Sequence, residues 1–297
     1  MTKQEFKNLL KKGPIILDGA TGSNLRLMGM PPGVCSELWI NEHPEILMKL
    51  KKDYVDAGSM AVYAPTFLAN RFSLASMGLE SEVKRLNMEN VQMAKDAVEG
   101  RALVAGNLST TSQPLEPFGT MTYEKLLDIY KEQIAYLCEA GVDYLAAETL
   151  LSLDEAMVIC DAAAAECKLP LTLSFTCEGD GNLYFGGNIV EAAVVLQEMG
   201  ADSVGLNCAV GPDQLEAVVR NLKDSLEIPV LAKPNAGIPQ IDAQGTAHYS
   251  MDADTFAKCM KKLYDCGATV IGGCCGTTPQ YIEKCVILWV DINTLNC

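Results

Sequence analysis

EMGADSVGLN, residues 198–207, ends an amphipathic run on glycine and opens a short apolar run that finishes on asparagine. The same join returns in DAGSMAVYAP (56–65), EAGVDYLAAE (139–148) and DCGATVIGGC (265–274). Glycine at such a point supplies the left-handed conformation that stops a helix. A near-continuous apolar run with β-branched residues is what a strand buried on both faces carries. The unit "helix, stop, buried strand" is therefore the building block.

Outward from these joins there are eight apolar runs: 14–22, 60–67, 102–109, 144–150, 171–176, 202–208, 229–237 and 268–276. Helical patterns fill the spaces, at 44–57, 81–98, 122–140, 153–167, 188–199, 212–225, 252–266 and 279–290. On the first, Ile46, Leu47, Leu50, Tyr54 and Val55 share a side. Ser152 with Glu155 three residues later reads as a capping box. Pro212 and Pro279 sit where a first helical turn begins, and Gly58, Gly141, Gly200 and Gly267 mark helix ends. Eight strand–helix units in 297 residues predict an α/β fold, a single (β/α)8 TIM barrel with its site at the C-terminal ends of the strands. The alternative is a doubly wound open sheet, but no G-x-G-x-x-G follows the first strand. No linker or composition break divides the chain, so residues 1–297 are expected to form one domain.

Composition narrows the function. The net charge is −15 with no compensating basic run, which argues against nucleic acid and against an anionic membrane surface as partners. The opening MTKQEFKNLLKKG has no apolar signal core, and no apolar stretch reaches the roughly 18 residues of a membrane span. The expected location is the cytoplasm. There the twelve cysteines read as reduced thiols, a few of them metal ligands, rather than as a disulfide framework.

A barrel of this kind works at its strand ends. Those ends carry Asp18, Thr66, Asn107, Glu148, Thr176, Asn207 with Cys208, Asn235, and Cys274 with Cys275. All are polar or thiol, as a site for a polar substrate requires. Cys208 and the Cys274–Cys275 pair end the sixth and eighth runs, which flank the seventh at one rim. Two adjacent cysteines in a glycine-rich turn, GGCCG, can both face one site. Three thiolates with a free fourth position make a catalytic zinc arrangement. The alternatives are a strained vicinal disulfide or small residues placed for packing. Cys160 with Cys167 and Cys259 with Cys266 lie on helical patterns and read as small buried hydrophobes; Cys35, Cys138, Cys177, Cys285 and Cys297 have no partner pattern. His248 reads as a surface loop residue, His43 as a turn, and Tyr63 as facing either the core or the site.

DGATGSNL (18–25), TFLANR (66–71), ETL (148–150), GLNCAVGP (205–212), KPNAG (233–237) and GGCCGTTP (272–279) together resemble the homocysteine S-methyltransferase family. The likeness runs from residue 13 to 285, and TFLANR with LEPFG (115–119) places it nearest the homocysteine-binding module of cobalamin-dependent methionine synthases. The resemblance implies a Zn2+ ion held by Cys208, Cys274 and Cys275, and homocysteine as the methyl acceptor. It implies Asp18 and Glu148 at the substrate ammonium, the backbone of Gly19 and Ala20 at its carboxylate, and Thr66, Asn207 and Asn235 around the site. The implied donor is methylcobalamin or another methylcorrinoid, bound by a separate corrinoid protein or domain. S-methylmethionine, S-adenosylmethionine or betaine as donor, or a docking module without turnover, are the alternatives. CEGDGNLYFGG (177–187) departs from the family's Thr-Gly-containing loop, and the apolar tail 286–297 is unlike the usual continuation.

Overall fold

A computed structural model of the chain describes residues 1–242 and 247–295. Its barrel strands are β1 (Ile15–Ile16), β2 (Ala61–Tyr63), β3 (Leu103–Ser109), β4 (Tyr144–Leu150), β5 (Leu171–Phe175), β6 (Ser203–Asn207), β7 (Val230–Lys233) and, after a hairpin of β8 (Pro239–Ile241) and β9 (Ala247–Tyr249), β10 (Ala268–Ile271). The eight lie in the order β1-β10-β7-β6-β5-β4-β3-β2 with every neighbour parallel. A parallel bridge from Leu17 to Ala61 and the Met60 N–H to Ile16 carbonyl bond of 2.7 Å bring β2 back to β1 and close the ring. The predicted (β/α)8 TIM barrel is what forms.

Each expected strand is present, β4 over the whole of its expected 144–150 and the others shortened, and each expected helix is found within five residues of its predicted bounds. Gly58, Gly141, Gly200 and Gly267 all have positive φ, between 74° and 114°, as helix stops require. Two start signals act differently from their reading. Pro212 opens a short 3-10 turn, Pro212–Gln214, and the α-helix begins afterwards at Glu216. Ser152 does cap its helix through the Glu155 N–H at 3.3 Å, but the Glu155 carboxylate does not close the box. It is buried and accepts from the Thr111 N–H and Oγ1 and from Tyr130 Oη, each at 2.7 Å, and from Thr110. Those donors fix the segment after β3, and they satisfy a desolvated carboxylate better than one amide would. The short helices Lys3–Leu10, Gly22–Leu27, Ser36–Glu42 and Arg71–Ala75 had no periodic run to announce them.

Inside the barrel Phe6, Ile15, Leu17, Tyr63, Tyr144, Leu231 and Val270 form one apolar cluster. The larger core lies between strands and helices and includes Leu47, Leu50, Tyr54, Ile159, Leu196 and Phe256. Because side chains alternate along a strand, those inward positions continue toward the C-terminal ends as Asn107 on β3, Glu148 on β4, Asn207 on β6 and Lys233 on β7. Asn207 and Lys233 are paired in register, so both stand at the same height. Trp289 is buried and tilts against Tyr264 with centroids 6.2 Å apart, which places it under the helical layer. His43 stacks on Trp39 between two helices, and His248 is exposed on β9 against Asp242 at 2.7 Å. Among the described residues no helix is long and apolar enough to cross a membrane. Residues 243–246 and Cys297 lie outside the described residues.

Candidate active site

Cys208 follows β6 directly, and Cys274 and Cys275 follow β10 after two glycines. Gly272 and Gly273 allow that turn to lie against β1: a Cβ on the first would meet the Asp18 carbonyl at 2.7 Å, and one on the second the Thr277 hydroxyl at 2.4 Å. Backbone bonds then pin the segment to the neighbouring strand. The Cys274 N–H donates to the Pro234 carbonyl at 2.7 Å, and the Ala236 N–H to the Cys275 carbonyl at 2.9 Å. The Cys208 N–H reaches the Lys233 carbonyl at 3.3 Å.

Cys208 itself is held at φ 49°, and Thr149, at the end of β4, at φ 62°. Neither is glycine, so both are strained and need surroundings that over-determine them. Asn207 provides part of that. Its Oδ1 accepts from the Thr149 N–H at 2.7 Å and Ser174 Oγ at 2.9 Å, while its Nδ2 donates to Thr149 Oγ1 at 2.8 Å. Thr176 Oγ1 donates to the Cys208 carbonyl at 2.8 Å.

The three sulfurs meet. Among the described residues they form a group whose ligand atoms all lie within 4.8 Å of one another, and Cys208 Sγ stands 3.6 Å from Cys275 Sγ. Tetrahedral coordination with metal–sulfur bonds of about 2.3 Å sets sulfurs ~3.8 Å apart, so the donor set fits zinc in type and spacing. Cys274 and Cys275 both stand as free thiols in this structure. Within this cluster the neighbouring Cys208 and Cys274 thiols pull the Cys275 thiol down from its ordinary value, while Cys274 and Cys275 push Cys208 up.

These sulfurs border a cavity of about 360 Å³ whose wall also includes Ala20, Tyr63, Asn107, Glu148, Thr149, Lys233 and Glu37. Of the substrate residues expected from sequence, Ala20 and Glu148 therefore face it. Asp18 lies behind the wall, fully buried. Its Oδ2 accepts from Lys51 Nζ at 2.7 Å and the Tyr63 N–H at 3.1 Å. Gly19 packs against Tyr54 and Thr277, and the Ala20 N–H is committed to Thr277 Oγ1 at 3.1 Å. Thr66 ties β2 to β3, donating to the Asn107 carbonyl at 2.8 Å and accepting from its N–H at 3.1 Å. Asn235 donates to the Ala209 carbonyl at 2.6 Å, and its buried Oδ1 has no hydrogen-bond partner among the described residues. Glu148 accepts from Asn107 Nδ2 at 2.9 Å and faces Lys233 Nζ at 3.4 Å, and burial raises its pKa.

Two buried lysines escaped the sequence reading, as did Glu37 on the cavity wall. Lys51 is fully buried, and burial lowers its pKa against the pull of Asp18. Lys233 is also buried; burial opposes its charge, but Glu148, Asp18 and Cys274 together outweigh that and raise its pKa. Both were legible. Lys51 lies four residues after Leu47 and three before Tyr54, on the buried face of helix Pro44–Asp56, and Lys233 falls on the inward alternation of β7.

A family model described as homocysteine S-methyltransferase matches residues 15–286. A methionine synthase of Mycobacterium tuberculosis is 28% identical over 298 residues, covering 94% of this chain and 25% of that protein. One of Mycobacterium leprae is 28% identical over 262 residues, covering 84% and 22%. The chain thus spans about a quarter of the length of the curated relatives it matches. Among solved structures, the metallated form of the homocysteine methyltransferase MmuM from Escherichia coli superposes with a TM-score of 0.79 at 23% identity, covering 95% of this chain and 98% of that one. Its oxidized form gives 0.77 at 23% identity, covering 93% and 96%. At that identity the likeness establishes the shared fold.

Proposed function

The chain belongs to the homocysteine S-methyltransferase family, and from that premise we propose that it transfers a methyl group to the thiol of homocysteine, giving methionine. The observation that carries this reading is the cluster of three cysteine sulfurs on the wall of a cavity large enough for an amino-acid thiol. We propose that Cys208, Cys274 and Cys275 would hold Zn2+ beside the cavity that takes the acceptor. When bound, zinc lowers the pKa of the acceptor thiol, so that a thiolate is present at neutral pH. The metallated form of the E. coli protein that shares this fold supports a metal at the site.

The chain's own residues do the rest. Asn207 and the backbone bonds of 272–276 keep the three sulfurs facing one point. Ala20, Asn107, Glu148 and Lys233 bound the end of the cavity that takes the acceptor's polar groups. Asp18, Thr66 and Asn235 hold the rim from behind, and Gly19 lets β1 pass close to Tyr54. The homocysteine thiol loses its proton to solvent. Its sulfur then attacks the methyl carbon in line, and the bond from that carbon to the donor breaks with its electron pair left on the donor. For the donor we propose methylcobalamin or another methylcorrinoid, presented at the barrel mouth by a separate corrinoid protein or domain. Relatives named methionine synthase, about four times as long as the matched region, support a donor carried outside it. We propose residues 1–297 as one acceptor-binding unit working in the cytoplasm.

The test is methionine formation from homocysteine by zinc-loaded protein, with methylcobalamin, S-methylmethionine, S-adenosylmethionine and betaine as parallel donors. Turnover with methylcobalamin alone is the expected result. Turnover with a sulfonium or betaine overturns the donor assignment. No methionine from any donor, with homocysteine bound, leaves a docking module.

A further inference from the structure

The cavity beside the sulfurs already contains an ammonium. Lys233 Nζ lies 3.4 Å from Glu148 Oε2 and 3.8 Å from Asp18 Oδ1, and 4.3 Å from the centre of the Tyr63 ring. The other oxygen of Asp18 is taken by Lys51 Nζ at 2.7 Å. Two buried carboxylates are thus matched by two buried lysines, and Glu148 and Lys233 are the members of this set that face the cavity. A substrate ammonium arriving at Glu148 meets a carboxylate that is already neutralised. Moving Lys233 aside to admit it would leave a buried cation without its counter-charges, which is strongly unfavourable. Glu37 is the other carboxylate on the wall, but it is committed to the Leu68 N–H at 2.7 Å, Ser36 Oγ at 2.9 Å and Cys35 Sγ at 3.7 Å.

Lys233, in contrast, has capacity to spare. A lysine ammonium carries three donors, and among the described residues its one hydrogen bond, to Glu148, is long at 3.4 Å. Its ammonium sits over the Tyr63 ring, 4.3 Å from the centroid, which keeps the charge at the cavity wall. An incoming carboxylate finds a placed cation there, within the same cavity as the three sulfurs.

We propose that Lys233 is a specificity-determining residue: it supplies the cation between Asp18 and Glu148 from the chain itself, so that the acceptor is recognised by its thiol and carboxylate while its ammonium counts for little. The substrate class is then ω-mercapto carboxylates, of which homocysteine is one. This deepens the function proposed above and rests on its thiol site.

Three ligands separate the contributions: homocysteine, 4-mercaptobutanoate, which lacks only the ammonium, and 3-aminopropane-1-thiol, which lacks only the carboxylate. Their dissociation constants would be measured by calorimetry on the zinc-loaded full chain. The expected result is 4-mercaptobutanoate within about threefold of homocysteine, and the aminothiol weaker by about tenfold or more. Lys233→Gln is expected to invert the order of the two analogues. Homocysteine binding more than about tenfold tighter than 4-mercaptobutanoate to the wild-type protein would overturn the proposal. So would an unchanged ranking in a Lys233→Gln protein that melts like wild type. The wild-type ranking decides the matter alone if that variant does not fold. Binding of none of the three overturns both this inference and the thiol site. A methyl donor that fails bears only on the transfer reaction, because these measurements read binding without turnover.

Discussion

The two ends of this barrel solve opposite problems. At the N-terminal end, helix Lys3–Leu10 closes the floor, with Phe6 and Tyr144 packed 5.8 Å apart above hydrocarbon from Ile15, Leu231 and Val270. Lys3 fastens it at the surface, to Asp202 at 2.9 Å and the Gly200 carbonyl at 2.8 Å. At the C-terminal end the same inward positions carry Asn107, Glu148, Asn207 and Lys233, and the chain holds Thr149 and Cys208 in left-handed conformations. One end is satisfied by packing. The other holds buried charge, strain and three converging thiols, each of which costs stability. The difference teaches that the closed floor and the ring of paired strands supply the rigidity on which the rim's unfavourable arrangement depends.

The contrast breaks most visibly at the sulfurs. Cys275→Ser is expected to reduce metal affinity and methyl transfer by more than the ~10–100-fold typical of outer-sphere changes, while the far-ultraviolet circular dichroism and melting of the metal-free protein stay close to wild type. An active variant that binds no metal would sink the zinc assignment. Phe6→Ala should do the reverse, lowering unfolding free energy by about 3 kcal/mol in denaturant titration while the metal affinity of the folded fraction is kept. Loss of metal binding at full stability would show that the ends are not separable. Asn207→Ala sharpens the comparison, because it releases Thr149 and Cys208 while all three thiols remain, at the loss of only a long contact from its Nδ2 to Cys274 Sγ at 4.0 Å. Metal affinity should fall ~10–100-fold and stability by about 1–3 kcal/mol. The smallest effect is expected at the floor's surface: Lys3→Ala should cost under about 1 kcal/mol, since Lys3 is 46% exposed, and should leave metal binding unchanged.

Much of this was legible in the chain. The recurring glycine stops and apolar runs predict the barrel because helix termination and strand burial are local or period-based properties. The strand-end rule then selects Cys208, Cys274 and Cys275 from twelve cysteines. What the pattern missed was polar residues where it expected none. Lys51 lies on the face defined by Leu47, Leu50 and Tyr54, and Glu155 looks like a capping partner until Thr110, Thr111 and Tyr130 offer it more donors.

The sequence by itself therefore determined the repeating unit, the number of strands, the rim at which chemistry is placed and the thiols that stand there, because each follows from periodicity and from order along the chain. Only the tertiary structure decided which of the rim residues face the cavity and which support it from behind. It also decided that Lys233 stands between two carboxylates assigned to the substrate. Those outcomes depend on register between strands distant in sequence and on the cost of leaving any buried charge unmatched, and neither is a property of a single segment.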